Sequence, residues 1–127
     1  MTLHPALSRL QDTETLVLVN RARHDGRLFT DDAFAKHWTT VHAPLATKLP
    51  GLLSYAINLP SPEQRGRRPL DGFAKLEFAS WDDAKAAWAS EAGRATAADG
   101  ALFMARARPL IVEEHIVVPR GGIPNRP

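Results

Sequence analysis

Segments with the composition of β-strands alternate along this chain with two stretches in which apolar residues recur at helical spacing. In the first helical stretch the apolar residues lie three and four positions apart, which places them on one face of a helix. The order from the N-terminus is strand, helix, strand, strand, helix, strand. That order is typical of the ferredoxin-like βαββαβ fold, whose four-stranded antiparallel sheet carries both helices on one face. The sequence therefore predicts an α+β protein of this architecture.

The predicted elements end at turn and cap residues. The strands are expected at residues 15–20, 52–59, 72–78 and 109–118. Ser80 precedes the second helical stretch, with Asp83 at the spacing of a capping box. Gly93 is a potential break in that helix, where Ser90 can cap a second piece, and Gly100 is expected to end it.

The first helical stretch contains a proline, which disturbs a regular helix. Pro44 has no backbone N–H to donate, and its ring crowds the carbonyl of Thr40, four residues earlier. We expect the helix to bend at His42, or to stop there and restart with Pro44 as its first residue. Both outcomes leave a titratable imidazole beside an apolar surface, which is what a small-molecule pocket needs.

Length and composition limit the class of protein. The 127 residues suit one domain, which we place at residues 15–118, between a lead-in at 1–14 and a mobile tail at 119–127. The chain contains no cysteine, so neither disulfides nor thiolate chemistry is available to it. It has neither an apolar run of the length of a membrane span nor a signal-peptide core, and we expect a cytoplasmic protein.

Charge and apolar pattern also predict the partners. The net charge is only +2, and the arginine-rich loop before residue 70 has no aromatic neighbour, so nucleic-acid binding is not expected. No membrane partner is expected either. The first strand has apolar residues on both of its faces. The sheet face without helices is therefore expected to meet a second copy of the chain, which predicts a homodimer through the sheet faces.

The first helix and the strand after it resemble the EthD family, which is named for ethyl tert-butyl ether degradation and belongs to the dimeric α/β barrel superfamily. The resemblance is strongest at Phe34, His37, Trp38, residues 41–46 and 49–52, and Tyr55. It continues more weakly through residues 78–81, 90–93, 98–99, 103 and 112–115. It implies ferredoxin-like monomers that pair through their sheets, with a pocket between sheet and helices. It does not imply one reaction, because such relatives include cofactor-free monooxygenases, lactone isomerases, polyketide dehydratases or cyclases, and haem enzymes.

Two residues are candidates for catalysis. His42 lies at the proline-induced bend, and an imidazole changes charge near neutral pH, so it can serve as acid or base. The alternative is a structural ring that bonds the carbonyl freed by Pro44. Asp99 precedes a glycine, which is typical of a helix end or turn. The resemblance adds the alternative that Asp99 orients a histidine or a substrate hydroxyl.

A further set of residues is expected to bind substrate. On a regular helix His37 lies about 140° from His42, so a metal site shared by the two is not expected, and His37 is placed at the pocket rim. No cofactor is expected. The aromatic members of the set have a plain core role as their alternative. The predicted substrate-binding residues are His37, Trp38, Leu45, Tyr55, Phe78 and Phe103.

The leading hypothesis is a small enzyme that acts on a hydrophobic, oxygenated small molecule by proton transfer through His42. It would be an isomerase, a dehydratase or cyclase, or a cofactor-free oxygenase. The first alternative is a non-catalytic protein that binds a small molecule or assists a catabolic or biosynthetic pathway. The second alternative is a domain that only associates through its sheet, and it predicts no cavity of ligand size.

Overall fold

The computed structural model describes residues 10–21, 23–24, 27–65 and 70–125. Residues 1–9 of the predicted lead-in and the last two residues of the predicted tail lie outside this part of the chain. The elements are β1 (Leu10–Arg21), β2 (Arg23–His24), β3 (Arg27–Leu28), α1 (Asp31–His37), a π-helical segment (Trp38–His42), α2 (Ala43–Ala46), β4 (Leu52–Asn58), β5 (Gly72–Phe78), α3 (Trp81–Ala89), α4 (Glu91–Phe103) and β6 (Met104–His115).

The four long strands form one antiparallel sheet in the order β4-β5-β1-β6, and β2 and β3 form a small separate hairpin. The alternation along β5 identifies the face that the helices cover, because Ala74, Leu76 and Phe78 are buried whereas Phe73 is exposed. The predicted ferredoxin-like α+β architecture is confirmed. None of the helices in the described ranges is long and apolar enough to cross a membrane.

Several element boundaries differ from the prediction: β6 ends at His115 instead of residue 118, β4 ends at Asn58 instead of residue 59, and the largest differences are at the starts of β1 and β6. β1 begins at Leu10, because this end of the strand pairs with β6 as far as His115. β6 begins at Met104 instead of residue 109, directly where α4 ends, and Gly100 does not stop that helix. Strand pairing across the sheet decides these boundaries, and the local composition on which the prediction rested is a weaker influence.

Side-chain caps begin α1, α3 and α4, and those at Ser80 and Ser90 are as the sequence predicted. Thr30 Oγ1 accepts from the N–H of Ala33 at 3.1 Å, and Ser80 Oγ accepts from the N–H of Asp83 at 3.0 Å. Ser90 Oγ accepts from the N–H of Gly93 at 3.1 Å. The second helical stretch is therefore divided at Ser90 into α3 and α4, as the cap at that position predicted.

The π-helical segment is how the first helix accommodates its proline. The N–H of Ala43 donates to the carbonyl of Trp38, five residues earlier, instead of four. His42 and Ala43 keep helical backbone angles, so the chain passes through without a break. Regular α-helix resumes at Ala43, with Pro44 in the first turn of α2, one residue earlier than the predicted restart. One widened turn thus accommodates Pro44, which has no N–H to donate.

The sheet face away from the helices carries a cluster of apolar side chains. By the register of the strands, Leu16 and Leu18 of β1 share this face with Phe73 of β5 and Leu110 of β6. Phe73 is 37% exposed and Leu110 is 49% exposed. This outer-face cluster is the surface on which the predicted pairing of two chains depends.

Candidate active site

A cavity of about 560 Å³ lies between the helices and the covered face of the sheet. This volume is within the range of about 300–1,000 Å³ that is usual for small-molecule sites. The wall is mostly apolar, and small residues on the helices leave the space open. It is lined by Val17, Trp38, His42, Ala46, Tyr55, Ala74, Leu76, Trp81, Trp88, Thr96, Ala97, Gly100, Ala101, Met104, Ala107 and Pro109.

His42 is the titratable base in this wall. It is the last residue of the π-helical segment and only 7% exposed. Its Nδ1 lies 2.8 Å from Oδ2 of Asp99, so in the neutral ring Nδ1–H donates to the carboxylate and Nε2 carries the free lone pair. No hydrogen bond joins Nε2 to a described residue. The ring therefore has the arrangement of a general base whose other nitrogen is fixed by a carboxylate.

Asp99 reaches this position from inside α4. It lies four residues before the end of that helix and is 9% exposed, so the interpretation as a helix-end or turn residue is wrong. Instead its carboxylate faces α1 and the π-helical segment. A buried carboxylate needs partners, and here two imidazoles supply them.

The second imidazole is that of His37. Its Nε2 lies 3.1 Å from each carboxylate oxygen of Asp99, and its side chain is 24% exposed. The predicted separation of about 140° from His42 is wrong, because it assumed a regular helix. The widened turn brings positions five residues apart onto one side of the helix, so His37 and His42 share one carboxylate. His37 does not line the cavity.

Burial determines the charge state of His42. Burial lowers the pKa of its imidazole below the ordinary value of 6.5. The hydrogen bond and negative charge of Asp99 act in the opposite direction, and nearby His37 adds to the decrease. Because the net shift is downward, His42 is neutral at neutral pH, which is the form a base requires.

Tyr55 provides a neutral hydroxyl in the same wall. Burial raises the pKa of its phenol above 10.0, and hydrogen bonding with the side chain of Trp38 offsets part of that increase. Tyr55 therefore keeps its proton at neutral pH and can donate a hydrogen bond.

The predicted substrate-binding residues occupy different places. Trp38 and Tyr55 line the cavity, together with His42. Phe78 and Phe103 are fully buried and lie outside the lining, as does the partly buried Leu45. The Phe103 ring supports the site from behind, with its centre 5.1 Å from that of His42, 4.5 Å from that of His37 and 6.3 Å from that of Trp38.

Sequence reasoning missed several lining residues. Trp81 and Trp88 belong to the apolar stripe of the second helical stretch, which is equally typical of plain core. Met104 and Ala107 were missed because the last strand was predicted to begin too late. Within the described ranges, no group of three or more His, Asp or Glu is arranged to hold a metal ion.

Fold and cavity together define a ferredoxin-like α+β protein with a pocket between sheet and helices. The model of the EthD domain matches residues 28–107, which include α1, the π-helical segment and most of the cavity wall. The chain belongs to the EthD family. No curated protein matches it.

Solved structures with this fold include an EthD family protein from Bacillus halodurans. It is 23% identical, with a TM-score of 0.63, and the match covers 80% of this chain and 97% of that one. A dimeric ferredoxin-like protein of unknown function from Thermobifida fusca is 20% identical, with a TM-score of 0.56 and coverages of 80% and 88%. A cofactor-independent oxygenase from Streptomyces nogalater is 13% identical, with a TM-score of 0.50 and coverages of 79% and 93%. At these identities the likeness shows a shared fold.

Proposed function

We propose that this EthD family protein is an enzyme that removes a proton from a carbon next to a carbonyl group in a hydrophobic small molecule. One observation carries the proposal: His42 lines an apolar cavity of ligand size while its Nδ1 is bonded to the buried carboxylate of Asp99. Such a base is neutral, oriented and shielded from bulk water.

The proposed step needs only residues of this chain. The lone pair of His42 Nε2 takes the proton, and the electrons of the broken C–H bond move into the carbonyl group to give an enolate. Asp99 stabilises the imidazolium that results and holds the ring in its reactive tautomer. Return of the proton to another atom completes an isomerisation, and loss of a leaving group from the enolate completes a dehydration. Reaction of the enolate with dioxygen would make the protein a cofactor-free oxygenase.

The test is the exchange of hydrogen for deuterium next to a carbonyl group. The protein is incubated in D₂O with 2-tetralone or 2-indanone, which are compact, apolar and readily enolised, and deuterium uptake is followed by mass spectrometry. We expect exchange faster than in buffer alone by about 100-fold or more, as is usual for general-base catalysis. Binding of both ketones without faster exchange would contradict the proposal and favour the non-catalytic binding protein.

The pH dependence of this exchange is a separate prediction. His42 must be neutral to act, and its pKa in the folded protein lies below 6.5. After subtraction of the buffer rate, we expect a plateau at and above neutral pH and a fall only below pH 6.5. A protein-dependent rate that rises steadily from pH 6.5 to pH 9 would assign the reaction to a group other than His42.

We also propose that two copies of the chain pair through the outer-face cluster, and that the protein works in the cytoplasm. Support for pairing comes from the exposed Phe73 and Leu110 and from the dimeric state of structures with this fold. In the dimer, a charge placed in the cluster would face either an apolar surface or the same charge on the second copy. The free energy of association is expected to become less favourable by several kcal/mol.

Light scattering after size-exclusion chromatography tests the pairing. The unaltered protein is expected at twice the chain mass of 13.9 kDa, and Leu110→Lys is expected to shift it to a monomer. Leu102→Lys is the matched control, because Leu102 is 66% exposed on α4, away from the outer-face cluster. Equal masses for the two variants would contradict an interface at this face.

A further inference from the structure

The imidazole of His42 has open space beside the nitrogen that is proposed to act as the base. Nδ1 is bonded to Asp99, whereas Nε2 bonds to no described residue and is not fully enclosed by protein atoms. Since His42 is only 7% exposed and lines the cavity, this space belongs to the cavity and not to bulk solvent. A buried ring nitrogen whose free lone pair faces a cavity indicates a ligand that lies against it.

Gly100 keeps this space open. It is a buried residue of α4, directly after Asp99, and it lines the same cavity. A β-carbon there would lie 3.6 Å from Cε1 of His42, the ring atom between the two nitrogens, and 3.8 Å from the sulfur of Met104. Outside α4, no other described residue comes within 4 Å of that position. The missing side chain therefore leaves a gap beside the imidazole that would hold a methyl group.

Packing within the chain does not require a glycine at this position. Alanine is favoured over glycine inside a helix, and at position 100 it would meet only ordinary contacts. Gly93 of the same helix differs, because a β-carbon there would lie 2.3 Å from the carbonyl oxygen of Trp88. The fold thus accounts for Gly93 but not for Gly100. What Gly100 provides is the gap itself, next to the base.

The cavity wall also limits the charge of a ligand. None of the described residues that line the cavity is Asp, Glu, Lys or Arg. His42 is neutral at neutral pH, because burial lowers its pKa. A carboxylate or phosphate inside the cavity would therefore lose its hydration without gaining a charged partner, which is strongly unfavourable. The ligand that suits this wall is uncharged.

We propose that Gly100 determines specificity, because the gap beside it holds a substituent on the carbon from which His42 removes the proton. The substrate class is uncharged carbonyl compounds that carry a carbon substituent at that position. The inference rests on the proposed function and deepens it by naming this class. An unfilled gap loses dispersion contacts on both sides, so a ligand that fills it binds more tightly than one that leaves it empty.

The test compares 2-tetralone with 1-methyl-2-tetralone, which has one added methyl group on a carbon next to the carbonyl. Both dissociation constants are measured by equilibrium dialysis, and the 2-tetralone constant divided by the 1-methyl-2-tetralone constant gives the affinity ratio. For the unaltered protein we expect a ratio of about four, as burial of one methyl group provides. Gly100→Ala fills the gap with a methyl group of the protein, so the ratio is expected to fall about tenfold, to below one.

Two controls show whether the effect belongs to this gap. In 6-methyl-2-tetralone the methyl group is on the aromatic ring, and its affinity ratio is expected to be equal in Gly100→Ala and the unaltered protein. Ala98→Val adds bulk at an exposed position of α4 outside the cavity wall, and it is expected to change neither ratio. An unchanged ratio for 1-methyl-2-tetralone in folded Gly100→Ala would overturn the inference, as would failure of the unaltered protein to bind either ketone.

Exchange measurements separate this inference from the proposed function. Loss of the C1–H signal in D₂O is followed by NMR, and Gly100→Ala is expected to slow exchange in 1-methyl-2-tetralone about tenfold more than in 2-tetralone. His42→Gln should lose exchange and keep the affinity ratio of the unaltered protein. A ratio that falls in Gly100→Ala, together with no exchange by the unaltered protein, would contradict the proposed function and support the gap as a ligand site.

Discussion

Replacing His42 by glutamine is expected to reduce protein-dependent deuterium exchange into 2-tetralone about 100-fold or more. Glutamine keeps much of the length of histidine, and its amide lies near the position of Nε2 in the imidazole. It has no nitrogen that accepts a proton near neutral pH, so the base is lost while the packing is largely kept. The rate is measured by mass spectrometry at pH 7.5, after circular dichroism has shown an unchanged fold.

Three further variants separate catalysis from structure. His115→Gln makes the same substitution at an exposed position on β6 and is expected to retain the full rate. His37→Gln removes the second partner of Asp99 without touching the cavity, so a smaller loss is expected than for His42→Gln. Asp99→Asn removes the charge that stabilises the imidazolium and permits the wrong tautomer, so a loss of at least about tenfold is expected. A folded His42→Gln variant with the full rate would exclude His42 as the base.

The largest effect on stability is expected for Gly93→Ala. A β-carbon on Gly93 would lie 2.3 Å from the carbonyl oxygen of Trp88 and 2.5 Å from that of Ala87, both in the backbone of α3. These atoms cannot retreat without disturbing the Ser90 cap that joins α3 to α4. We expect the free energy of unfolding to fall by about 3 kcal/mol, the upper part of the usual range for overpacking. Urea denaturation measures the change.

Gly100→Ala is the matched control in the same helix. A β-carbon there would lie 3.6 Å from Cε1 of His42 and 3.8 Å from the sulfur of Met104, which are ordinary contacts. Alanine is favoured over glycine inside a helix by up to about 1 kcal/mol, so a small gain in stability is expected. Changes of the same sign and size in the two variants would contradict the tight approach of α3 to Gly93.

Features that depend on neighbouring residues were predicted well from sequence. The order of elements, the caps at Ser80 and Ser90 and the position of His42 beside an apolar surface follow from spacing and composition. The apolar character of both faces of β1 also follows from alternation alone. These features require no knowledge of how distant parts of the chain meet.

Features that depend on distant contacts were not predicted. The alignment of His37 with His42 follows from one widened turn, and a helical projection at 100° per residue excludes it. Asp99 joins them from a helix more than fifty residues further along the chain. The start of β6 depends on its pairing with β1, which lies more than eighty residues earlier in the chain. Sequence identified His42 as a candidate base, and the structure supplied its partners.

The widened turn has a consequence for the mutations that the site tolerates. Four residues separate the two imidazoles, and three of them, Thr39, Thr40 and Val41, are exposed, so a change of side chain at those three leaves the carboxylate pairing intact. The number of residues between His37 and His42 matters more than the identity of the exposed ones. Loss or gain of one residue would rotate His42 by about 100° relative to His37 and turn it away from Asp99. The geometry of the buried acid–base pair thus depends on the length of the segment between His37 and His42.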